Sequence, residues 1–180
     1  MARDGMDVGA GVERRRWTKV GLDVPVIGMG TWQTFDVRGP VAQERRAVVD
    51  AALEAGATLF DSSPMYGEAE RVLGGTLEGR RDAALVATKV WTADDAEASR
   101  QIARSLRYFG GRVDVFQVHN LVQWRRRLDQ LEAEREAGRV RVIGVTHYRE
   151  DAFDELVVAM RDPRVGAIQI PYNPRQRVVE

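Results

Sequence analysis

Two rhythms of apolar residues alternate along this chain. Short runs of four to seven residues, VIGMG, ATLFD, ALVATK, VDVFQVH, VRVIGV and AIQIP, have the length and content of buried strands. Between them apolar positions return every three or four residues, the spacing of one helix face. Helices are therefore predicted over QERRAVVDAALEAG, with Val48, Ala52 and Ala55 on one stripe and Gly56 at the stop, and over EAERVLGGTL. Three more follow: DAEASRQIARSLRYFGG with Ile102, Leu106 and Phe109 aligned, WRRRLDQLEAEREAG ending at Gly138, and EDAFDELVVAM with Phe153, Leu156, Val157 and Met160 aligned. Ahead of the series RWTKV reads as a short extended piece, and residues 1–16, rich in Gly and Arg, read as a frayed, solvated tail.

Strands alternating with helices through short loops describe a parallel sheet covered by crossover helices. An open doubly wound sheet would carry G-x-G-x-x-G after its first strand, but GMGTWQ supplies Gly28 and Gly30 and then Gln33. The fold expected is α/β, a (β/α)8 TIM-barrel type with a short N-terminal extended segment, occupying residues 17–180 as one partial-barrel domain. A barrel has eight βα units and about 250 residues, whereas six are read here, so the chain is expected to be truncated after the sixth barrel strand. Its first and sixth strands would then be unpaired edges, inviting self-association with another copy.

Composition narrows the function classes. Lys plus Arg and Asp plus Glu each total 27, so no net charge points to nucleic acid or an acidic membrane surface. The absence of cysteine excludes disulfides, a thiol nucleophile and thiolate metal sites, and two histidines do not fill a zinc shell, so no metal is expected. The first residues lack the apolar core of a secretory leader, and no stretch approaches a membrane span, which makes the expected setting cytoplasmic.

Barrels keep their chemistry on the loops after the strand C-termini. There the sequence places Gly30-Thr31-Trp32, Asp61, Lys89, His119, Thr146-His147 and Gln169, a polar group at the end of each strand. Lys89 stands out because the chain has two lysines against 25 arginines, and a lysine's pKa responds to burial where an arginine's does not. Singly, each residue has an ordinary structural use: Asp61 as a cap, Tyr66 as a packed ring, His119 as a bonded strand end. An acid, a phenol, an amine and an imidazole at one mouth form a proton-handling set.

The pattern D-x4-Y-G-x2-E-x3-G running from Asp61 to Gly74, then ATKVW, DVFQVHN, GRVRVIGVTHY and IQIPYNP, with GMGTW ahead of them all, resembles the aldo-keto reductase family of NAD(P)H-dependent barrels over about Trp17 to Asn173. The resemblance implies a catalytic tetrad of Asp61, Tyr66, Lys89 and His119. It puts Gly30, Thr31 and Asp61 on the cofactor side, Thr146, His147 and Gln169 around the nicotinamide carboxamide, and Trp32 and Trp91 in the substrate pocket. Thr146-His147 departs from the family's usual Ser-Asn, exchanging an amide for an imidazole. The implied cofactor is NADPH, with NADH as the alternative, and the implied partner a small carbonyl compound.

In that reaction Tyr66 would be the general acid. Lys89 is expected to bring its pKa down, Asp61 to keep Lys89 charged, and His119 to donate to the carbonyl oxygen. The alternative is a catalytically silent remnant or binding module, since the absent strands carry the family's phosphate grip.

Overall fold

The computed structural model describes residues 11–180. Its main sheet has six parallel strands in sequence order: β3 (Gly28–Gly30), β4 (Leu59–Asp61), β5 (Leu85–Val90), β6 (Val113–His119), β7 (Val140–Thr146) and β8 (Val165–Gln169). The helices α1 (Pro40–Glu54), α2 (Ala69–Thr76), α3 (Asp95–Tyr108), α4 (Trp124–Glu136) and α5 (Phe153–Met160) form the crossovers. The expected six strands and five helices are all present. Preceding them, β1 (Arg14–Trp17) and β2 (Leu22–Pro25) pair antiparallel as a hairpin. The tail expected over residues 1–16 is corrected at its far end, because Arg14, Arg15 and Arg16 pair with Pro25, Val24 and Asp23; residues 1–10 lie outside the described residues.

Strand periodicity sorts the side chains onto two faces. Phe60, Val86, Val90, Phe116, Val118, Ile143 and Val145 point to the helices and join one large core with Leu73, Ile102, Leu106, Leu128 and Leu131. The alternate residues Ala87, Val115 and Val142 face the concave side, where Leu22 and Val24 of the hairpin pack on them. The hairpin thus closes the N-terminal end of the curl. Farther along the same concave face stand Lys89, Gln117, His119 and Thr146, and this puts the polar set at the opposite end.

Two helix faces differ from the pattern reading. On α1 Val49 is buried while Val48 is exposed, and on α5 Leu156 and Ala159 are buried while Val157 and Met160 are exposed. AVVDAALEA and ELVVAM are apolar on most sides, so their pattern specifies a helix but leaves its rotation ambiguous by one residue.

Polar ties back the core. Glu70 of α2 is buried and accepts from the hydroxyls of Thr88 at 2.5 Å and Ser105 at 2.7 Å, joining α2, β5 and α3; burial raises its pKa above the usual carboxylate range. At Gly74 a Cβ would lie 2.3 Å from the Tyr108 carbonyl oxygen, so only glycine lets α2 approach α3 this closely. Among the described residues no helix is long and apolar enough to cross a membrane.

Candidate active site

Register alone brings the strand ends together. Gly30 stands beside Asp61, Lys89 beside Gln117, His119 beside Thr146, and Thr146 beside Gln169. Tyr66 reaches the same mouth from the turn between β4 and α2. Gly67 makes that turn possible: its φ is +59°, and a Cβ there would lie 2.2 Å from Asp36, whose carboxylate accepts from the Glu68 backbone N–H.

Lys89 is 2% exposed, and its ammonium donates to Asp61 Oδ2 at 2.6 Å and to the Ser62 carbonyl at 2.9 Å. Burial lowers the Lys89 pKa, and the Asp61 carboxylate opposes that loss, the division of labour expected from the sequence. The ammonium also lies 5.2 Å from the centre of the Tyr66 ring. Tyr66 packs edge-on to His119, with ring centres 6.0 Å apart, and tilted against Trp32 at 6.5 Å.

The expected downward shift of Tyr66 is corrected. Its pKa is pushed up to about 12, first by burial and then by the Asp61 carboxylate. Lys89 has its charge matched by Asp61, so the net field at the phenol is not positive. Tyr66 therefore stays protonated, which suits a donor. His119 is pushed down to about 3 by burial, then by the Lys89 ammonium and the neighbouring His147 ring, and stays neutral.

Thr146, His147 and Gln169 line one open cavity of about 260 Å³ together with Tyr66, Lys89 and His119. Gln169 accepts from the Gln117 amide at 3.3 Å, which leaves its own NH₂ for a ligand, and the Thr146 hydroxyl has no protein partner among the described residues. A hydroxyl, an imidazole N–H and an amide NH₂ around one cleft match the acceptor and donor of a primary carboxamide. The donor set thus fits a nicotinamide ring. Thr31 is fully buried, and its hydroxyl bonds the Asp61 carbonyl at 3.0 Å and Ser62 Oγ at 2.9 Å, so it braces the end of β4 and offers no surface to a ligand. Gly30 lies on the open edge, where a Cβ would meet nothing within 4 Å. Trp32 and Trp91 stand on the rim, 63% and 42% exposed, the second pinned through its backbone N–H and C=O by Gln101.

Three residues of the site escaped the sequence reading. Gln117 is two before His119 and so on its face, a signal that strand alternation carries. Asn120 lines the cavity; it and Leu121 after it are left-handed (φ 52° and 55°), a conformation that asparagine favours but that nothing in the leucine announces. Ser63 bonds His119 at 3.1 Å, a contact across 56 residues that no local pattern shows.

The Aldo/keto reductase family model matches residues 26–180 of the chain. A curated relative, aldo-keto reductase YhdN of Bacillus subtilis, is 28% identical over 89% of this chain and 54% of its own length. A putative aldo-keto reductase from Pseudomonas aeruginosa superposes with a TM-score of 0.80 at 24% identity, over 92% of this chain and 69% of that one. An aldo-keto reductase from Klebsiella pneumoniae, solved in complex with NADPH, gives a TM-score of 0.69 at 28% identity, covering 84% of this chain and 56% of that one. The chain therefore spans about half the length of the curated relative it matches.

Proposed function

Since the chain belongs to the aldo/keto reductase family, we propose that its mouth serves the reduction of aldehyde or ketone carbonyls to alcohols with NADPH, Tyr66 acting as general acid. The observation that carries the reading is the stack of Asp61, Lys89 and Tyr66 beside a neutral His119. The nicotinamide, when bound, supplies the hydride. Thr146, His147 and Gln169 would hold its carboxamide. Tyr66, protonated well above neutral pH, gives its proton to the carbonyl oxygen. Lys89, its ammonium 5.2 Å from the ring centre and held charged by Asp61, is the cation beside the phenolate that this transfer leaves. His119 donates a hydrogen bond to the same oxygen and orients the substrate. The reading includes a small carbonyl compound as partner and a cytoplasmic setting.

Cofactor binding is the test. Titration with NADPH and with NADH, followed through the tryptophans at the rim, should give saturable quenching with at least NADPH. A flat response to both would favour a binding module that turns nothing over.

A further inference from the structure

We propose that Ser63 is a positioning residue that fixes the His119 imidazole in the tautomer carrying its proton on Nε2. Ser63 sits in the turn after β4, fully buried, with Oγ 3.1 Å from His119 Nδ1. That oxygen also accepts from the Met65 backbone N–H at 3.4 Å, so its lone-pair side already has a donor. A buried hydroxyl needs an acceptor for its own hydrogen, and among the described residues Nδ1 is the acceptor it reaches. The hydroxyl therefore donates to Nδ1, and the single proton of the neutral ring resides on Nε2. The opposite tautomer would aim a second N–H at Ser63 Oγ and leave the hydroxyl hydrogen buried without a partner. Protonation of both nitrogens meets the same obstacle and is opposed by burial and by Lys89.

The second imidazole of the mouth shows the same device by a different route. His147 Nδ1 lies 3.1 Å from the Arg149 backbone nitrogen, which can only donate, so the proton of a neutral His147 is also on Nε2. Both rings are thus set as Nε2–H donors, and both line the cleft. For His119 the consequence is functional: a ring locked with Nε2–H is a hydrogen-bond donor to a substrate oxygen and cannot act as a base there. The tautomer stands on the geometry alone, while this catalytic consequence rests on the reductase reading.

NMR of the chain with isotope-labelled histidine tests it without cofactor or substrate. The chain has two histidines, so His147→Gln assigns the rings. Near neutral pH His119 should show an unprotonated Nδ1 and a protonated Nε2. Ser63→Ala should shift His119 toward a mixture of tautomers and leave His147 unchanged, and Ser63→Thr, which keeps the hydroxyl, should restore the original pattern. A protonated Nδ1 in the parent chain, or a His119 pattern indifferent to Ser63→Ala, would overturn the proposal. If Ser63→Ala disturbs His147 as well, the threonine variant decides: a parent-like His119 supports the proposal and an alanine-like one refutes it. Failure of the reductase reading would look different, with the tautomer intact and no NADPH-dependent turnover.

Discussion

The Lys89 ammonium lies 2.6 Å from an Asp61 carboxylate oxygen, a contact in which the lysine side chain is 2% exposed and the aspartate 20%. The asymmetry says which partner needs the other. Asp61 can be hydrated, whereas Lys89 without it would be a buried, unmatched cation. Asp61→Asn should therefore destabilise the fold by about 3 kcal/mol, the low end for breaking a buried pair because Asp61 keeps some solvent. Urea unfolding measures it, and a change within a few tenths of the parent value would mean that Lys89 is neutral or hydrated.

Lys89→Arg keeps the charge and should still cripple turnover. The ammonium fills a buried slot between Asp61 and the Ser62 carbonyl, and a planar guanidinium is larger, with its donors fixed in a fork. Displacing the cation or Tyr66 by an ångström should lower kcat about 10²-fold. Steady-state kinetics decide the matter: a near-parental kcat would make Lys89 a structural cation.

His119 should not titrate between neutral pH and about pH 4, because its pKa lies near 3. The folded value is below the unfolded one of about 6.5, so unfolding takes up a proton as the pH falls. The stability tied to a neutral His119 is complete above about pH 6.5 and is lost progressively toward about pH 3. Proton chemical shifts of the ring follow the titration directly, and a midpoint near 6.5 would show that the ring is not desolvated.

Residues 1–180 by themselves should self-associate. Among the described residues β3 and β8 each pair on one side only, and Ile168 of β8 is exposed beside that free edge. Gel filtration should place the chain well above its monomer mass of 20.2 kDa. A concentration-independent monomer would mean that these edges are protected.

Much of this architecture was legible because strand and helix periods differ so plainly in the sequence. VDVFQVH is Val113–His119 in the structure with no residue gained or lost, since its apolar content, its length and the glycines ahead of it all agree. Helix rotation was less legible: adjacent apolar residues such as Val48 and Val49 both satisfy the pattern, and packing chose the second. In the site, side chains at strand ends could be placed by counting from the strands. The sign of the Tyr66 shift could not, because it depends on Asp61 matching the charge of Lys89 and on burial, both three-dimensional quantities. The Ser63 to His119 bond was hidden for the same reason.

The most direct measurement is carbonyl reduction by the protein and its Tyr66→Phe variant, with NADPH affinity measured in parallel. Removing only the phenolic hydroxyl should lower kcat by roughly 10²–10⁴-fold, the share of a general acid, and leave NADPH affinity within a few-fold. Turnover unchanged in Tyr66→Phe would contradict the assignment of the proton donor and with it the account of this mouth.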